Sequence, residues 1–200
     1  MRMWLALAFV GLFAACANDT GIDNSPAEVA AAAYVAPGPK SISLITVVNN
    51  RSGSGGHSAL IVNGSQQVIF DPAGSFRDPR VIERGDVLYG MSPKWIAAYK
   101  SAHARSTYHI VTQQIPVTEA QAEQALNLVM ANGQVSGAFC SNATSSLLSK
   151  VSGFEMIKST FFPVALQQQF ATLPGVTTTK YYEDDEGGIS DGVRAATLTQ

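Results

Sequence analysis

The chain has 200 residues, 46% of them hydrophobic and 14% charged, with a formal net charge of −2. That length supports one domain with a sizeable core plus unstructured ends. The nearly balanced charge, with no basic run interleaved with aromatic residues, argues against a nucleic-acid-binding surface.

Met1-Arg2 gives a positive start, and residues 4–15 form an apolar run too short to span a bilayer comfortably. The small pair Ala14-Ala15 then precedes Cys16. This resembles a bacterial lipoprotein signal over residues 1–15, with Phe13 a less usual residue three positions before the cysteine. The resemblance implies that Cys16 receives lipid on its sulfur and that the protein is anchored in the cell envelope. Ala17, where an aspartate would signal retention, implies the periplasmic face of the outer membrane. Cys140 is then left without a disulfide partner in the chain. A lone thiol outside the cytoplasm is open to oxidation, so its presence makes more sense if it does chemistry. The alternative is an inert, buried cysteine acting as a small hydrophobe.

Residues 16–40, rich in Ala, Pro, Gly, Asn and Asp, read as a flexible tether. Residues 41–50 (SISLITVVNN) read as a buried strand, and residues 51–56 as a small-residue loop. A hairpin follows, with Asn63-Gly64-Ser65 as its connection. A three-residue connection there pairs Val62 with Gln66, Leu60 with Val68 and His57 with Asp71. Side chains alternate along a strand, so His57, Ala59 and Ile61 share a face with Gln67, Ile69 and Asp71. A two-residue turn would break the pairing of His57 with Asp71.

Residues 72–85 read as an irregular flap, and residues 85–90 as a short strand. Ser92 and Pro93 suit the N-cap and first position of a helix through Trp95, Ile96 and Tyr99 to about His103. Residues 107–117 read as a strand that ends near Pro116. Thr118-Glu119-Ala120-Gln121 is a capping box for a helix that stops at Asn132-Gly133. A helix beginning at residues 140–142 runs to about Val151, and another opens at Phe161-Phe162-Pro163. Residues 176–182 read as a last strand, and the acidic, polar residues 183–200 as a disordered tail. The pattern predicts an α+β domain over residues 41–182, a mainly antiparallel sheet packed with helices.

Cys140 at a helix start is placed where unpaired backbone N–H groups favour a thiolate. With Cys140 as nucleophile, His57 serves as acid and base and Asp71 orients it. Gln67, on the same face, and Asp86 remain open as alternatives for the third group. His109 is the best competing base, although a packing role suits its strand better. His103 reads as a helix C-terminal cap favoured by the dipole. No HxH or HExxH spacing exists, so no metal or cofactor is expected.

The order of a histidine-led strand first and a cysteine-led helix last reverses the papain order. Gly56-His57-Ser58-Ala59-Leu60-Ile61 and Phe139-Cys140-Ser141 resemble the two motifs of the circularly permuted NlpC-type, papain-like superfamily, which includes lecithin retinol acyltransferase-like proteins. Two features depart from its pattern. Asp71 lies slightly late for the third group, and Ser141-Asn142 stands where Ser-Glu often follows the cysteine. The resemblance implies a permuted papain-like fold. It also implies hydrolysis or acyl transfer at an amide or ester carbonyl, with murein peptide or a lipid acyl group as substrate. A monomer anchored to outer-membrane lipid fits this reading, and a non-catalytic envelope binding module on the same fold is the alternative.

Overall fold

The structure is a computed structural model that describes residues 23–184, 186 and 191. The signal segment, Cys16 and most of the tail lie outside the described residues. The described chain is α+β, built on one seven-stranded antiparallel sheet in the order β4-β5-β3-β2-β1-β6-β7. The strands are β1 (Ser41–Asn49), β2 (Gly55–Asn63), β3 (Gln67–Phe70), β4 (Ile82–Arg84), β5 (Val87–Tyr89), β6 (Tyr108–Pro116) and β7 (Thr177–Tyr181). Five helices cover them: α1 (Pro26–Ala31), α2 (Pro93–His103), α3 (Glu119–Asn132), α4 (Cys140–Leu148) and α5 (Pro163–Phe170). Among the described residues no helix is long and apolar enough to cross a membrane.

The two faces of the sheet bury separate clusters, as strand alternation requires. Leu44, Leu60, Val62 and Phe70 pack with Leu126, Leu147 and Leu166 of α3, α4 and α5. Ile45, Ala59, Ile61 and Ile69 point the other way and pack with Tyr99 and Ala102 of α2. β1 is buried along nearly its whole length because helices cover both its faces.

Several elements follow their local signals directly. Thr118 and Gln121 form the capping box of α3, and Gly133 ends that helix with a φ of 71°. Pro93 and Pro163 each occupy the first turn of a helix.

Two expectations change. The described part of the segment read as a tether is built into the domain. Asn24 exchanges hydrogen bonds with the backbone of Glu83, Val29 is buried, and the Gln67 N–H donates to the Tyr34 carbonyl. A Ser25–Glu28 capping box allows the six-residue α1 to form, and the apolar cluster then holds it. The hairpin register also differs. Asn63 pairs with Gln67 and Leu60 with Phe70, so the connection is Gly64-Ser65-Gln66 and the strands are offset by two residues from the expected pairing. Gly64 has no positive φ. It is needed instead for space, since a Cβ there would stand 2.8 Å from Glu123 Oε1 and 3.2 Å from Leu126 Cδ2 on α3. Glu123 accepts hydrogen bonds from the Ser65 N–H and hydroxyl, so the turn is shaped by helix packing. An offset of two preserves the alternation, and the faces remain those expected.

Candidate active site

β2 is only partly paired on its β3 side. The β3 ladder covers residues Leu60 to Asn63 of β2 and reaches no further. The first half of β2 keeps its β1 partners, with a register shift between Val47 and Val48 opposite Gly55–His57. This gap admits the N-terminus of α4. Cys140 enters it, where the backbone N–H groups of Ser58 and Ser141 favour its thiolate. α4 approaches closely because the facing residues are small. Thr46 and Ser58 on the sheet and Ser141, Thr144 and Ser145 on the helix are all 0% exposed.

His57 stands at the start of β2, and Asp71 is the first residue after β3. The His57 Nε2 lies 2.6 Å from Asp71 Oδ1. Gln67 is not at the site, because its side-chain amide donates to the Met91 carbonyl. Asp86 is not there either. Its Oδ2 accepts from the backbone N–H groups of Ala73 at 2.9 Å and Val135 at 2.8 Å, tying the loop after β3 to the chain after α3. Of the three sequence candidates, Asp71 alone reaches His57. The Gly74 N–H donates to the Asp71 carbonyl in the turn that aims this carboxylate. A Cβ on Gly74 would lie 1.9 Å from Asp71 Oδ2.

Two residues with other assignments in the sequence join this cluster. Tyr99 is fully buried, and its hydroxyl donates to Asp71 Oδ1 at 2.5 Å. His103 stacks 4.3 Å from the Tyr99 ring and 5.9 Å from the His57 ring. Its Nδ1 meets the Tyr99 carbonyl at 2.8 Å, as a donor would. That bond caps the last turn of α2 as expected, while burial lowers the His103 pKa and so works against a charged ring. His109 is elsewhere, bonded to Asn50 Oδ1 at 2.7 Å and stacked on Tyr182.

The electrostatics of the cluster favour charge on three groups. Burial disfavours the imidazolium of His57, but the charge and hydrogen bond of Asp71, with Cys140 in addition, push it up to about 10. Burial likewise opposes the Asp71 carboxylate, and His57 together with the Tyr99 hydroxyl holds it down at about 2. Burial raises the Cys140 thiol, yet His57 and the two N–H groups outweigh it, and the thiol falls below its ordinary value. The N–H groups of Cys140, Ser141 and Asn142 precede the first helical bond of α4, from the Ala143 N–H to the Phe139 carbonyl, and lie at the positive end of the helix.

A cavity of about 370 Å³ opens on the α2 side of His57, between Gly56, Ser75, His103, Arg105 and Tyr108. Cys140 does not line it. Arg105 is tied to Glu183 by an ion pair of 2.5 Å, so the chain just past β7 packs beside this cavity. Among the described residues no group of three or more His, Cys, Asp or Glu side chains is arranged to hold a metal ion.

Comparison with protein-family models, with curated proteins and with solved structures finds no match to this chain.

Proposed function

We propose that this chain is a thiol hydrolase or acyltransferase of permuted papain-like type, acting at an amide or ester carbonyl. One observation supports it above the others. A cysteine at a helix N-terminus is coupled to a histidine whose second ring nitrogen is bonded to a buried carboxylate. Asp71 takes Nε2 of His57, which leaves Nδ1 for Cys140.

In this reading the Cys140 thiolate adds to the carbonyl carbon, and the oxygen gains the negative charge. The Cys140 N–H, at the open end of α4, donates to that oxygen. The carbonyl re-forms as the bond to the leaving amine or alkoxide breaks. The leaving group departs with the Nδ1 proton of His57. His57, now neutral, takes a proton from water or an acceptor alcohol, which attacks the thioester and releases the acyl group. The Cys140 thiolate and His57 imidazolium are restored. Asp71 fixes the imidazole and favours its charged form throughout.

The signal-like start of the sequence supports a setting in the bacterial envelope, on a lipid anchor at Cys16, and the superfamily resemblance supports murein peptide or a lipid acyl group as substrate. A second reading, a binding module with an inert cysteine, is favoured by the burial of Cys140 at 9% exposure. The two separate in a trapping experiment. Incubation with an activated ester followed by intact-protein mass spectrometry is expected to show one acyl group on Cys140. Cys140→Ser is expected to remove the thioester. Absence of acylation at Cys140 across a panel of activated amides, esters and thioesters overturns the hydrolase reading.

A further inference from the structure

Seven phenylalanines lie among the described residues, and their placement divides sharply. Phe70, Phe76, Phe154 and Phe170 are between 0% and 2% exposed. Phe139, Phe161 and Phe162 are 45%, 52% and 72% exposed. The three exposed rings all belong to the segments that frame Cys140. Phe139 immediately precedes it and meets Phe161 edge-on at 5.3 Å. Phe162 leads into Pro163, which packs against Gly55, two residues before His57; a Cβ on Gly55 would stand 2.5 Å from Pro163 Cβ.

This apolar lip is built onto α4. The Thr160 N–H donates to Ser145 Oγ at 3.0 Å, and the Asn142 amide donates to Ser159 Oγ at 2.8 Å. The Phe162 N–H donates to Thr160 Oγ1 at 3.2 Å. The chain carrying Phe161 and Phe162 is therefore held along the helix whose first residue is Cys140. Three fixed, solvent-facing aromatic rings are costly unless something apolar covers them. The exposed charged residues on the adjoining segments are Arg51, Lys150 and Lys158, with Glu155 between the two lysines. Aromatic rings flanked by cations suit the boundary between headgroups and acyl chains of an anionic lipid layer.

We propose that Phe139, Phe161 and Phe162 insert into a lipid surface and hold the Cys140–His57 site against it. The surface is the membrane that a lipid at Cys16 would place within reach, so the inference takes the anchor from the proposed function. It does not require Cys140 to react.

The test uses the full chain reconstituted into phosphatidylcholine–phosphatidylglycerol vesicles. Phe162→Trp adds one reporter, and subtracting the parent chain removes the signal of Trp95, Trp4 having left with the signal segment. With bromine on the upper acyl carbons, roughly 5–10 Å below the headgroups, the emission of the added tryptophan is expected to be quenched at least two-fold. Phe139→Ser with Phe161→Ser in the same chain is expected to relieve that quenching. Unquenched emission overturns the proposal, because the domain then hangs in water from its anchor. Quenching unaffected by the two serine substitutions overturns it as well. So does emission that follows protein concentration instead of lipid, which would mean that a second copy covers the lip. Repeating the measurement with Cys140→Ser is expected to give the same quenching, so a failure of the hydrolase reading stays distinct from a failure of this one.

Discussion

His57→Ala tests the pair on which the proposed chemistry depends. An ordinary cysteine, with a pKa of about 8.5, is ionised in roughly one molecule in 300 at pH 6. In the folded protein burial raises the Cys140 thiol, while His57 and the N–H groups of Ser58 and Ser141 lower it by more. Each unit by which a thiol pKa falls raises its ionised fraction at pH 6 about 10-fold, and the lower basicity takes back about 3-fold in nucleophilicity. Alkylation of Cys140 by iodoacetamide at pH 6 is therefore expected to be several-fold faster than that of free glutathione. The pH profile is as diagnostic as the rate. Between pH 6 and pH 8 the glutathione rate climbs about 70-fold. The His57 imidazolium persists until pH approaches about 10, so the thiolate keeps its partner and the Cys140 rate climbs less than that of glutathione over that interval. In His57→Ala the effect of burial has only the two N–H groups against it. The steep profile returns and the rate at pH 6 falls to that of glutathione or below. Mass spectrometry of the alkylated peptide measures both. A wild-type rate that climbs with pH as glutathione does would refute the reasoning without reference to the variant.

Gly74→Ala examines how the carboxylate is aimed. The added Cβ would stand 1.9 Å from Asp71 Oδ2 and 2.1 Å from its Cγ, so Asp71 must move away from His57. Such overpacking is expected to cost about 1–3 kcal/mol in chemical denaturation and to steepen the Cys140 alkylation profile; an unchanged midpoint with the wild-type profile would show that nothing moved. Glu83→Gln examines a neighbouring charge. Burial raises the Glu83 carboxyl to about 7 despite Arg77 at 3.2 Å. The folded chain therefore holds this proton more tightly than the unfolded chain, and stability falls as pH rises from 4.5 towards 7. The variant should gain about 1–3 kcal/mol relative to wild type at pH 8 compared with pH 4, and parallel pH dependences in the two proteins would disprove the assignment.

The sequence was legible where one local signal dominated. The β-branched run of β1, the capping box of α3 and the proline that opens α2 each identified an element near its true bounds. β4 was missed within the expected flap because Ile82-Glu83-Arg84 is too short to show alternation; it forms because β5 supplies a ladder and Asn24 an extra bond. The packing of residues 23–40 was hidden for a related reason. Asn24, Val29 and Tyr34 are scattered singly through a loop-like composition, and only the folded sheet gives each a partner. Tyr99 occupies a core position at helical spacing, and nothing in that spacing marks its hydroxyl as a donor to a carboxylate 28 residues upstream. His103 follows the same rule: its helix-end position suggested the cap it makes on the Tyr99 carbonyl, and nothing there marked its packing beside His57.

The site itself was legible for a reason independent of the turn. The expected connection was displaced by two residues, yet His57 and Asp71 still meet, because alternation has a period of two and an even displacement keeps both on the α2 face. Their meeting also requires that β3 be short. If β3 continued opposite His57 to Ala59, Asp71 would be a paired strand residue. Ending β3 at Phe70 leaves the Ser58 N–H to favour the Cys140 thiolate, lets the chain turn at Asp71, and leaves the opening through which α4 brings its first residue from the other face. Cys140, His57 and Asp71, the nucleophile, base and orienting carboxylate of the proposed mechanism, thus come from three elements that meet at one interruption in the sheet. Closing that interruption would complete the β2–β3 ladder and abolish the site.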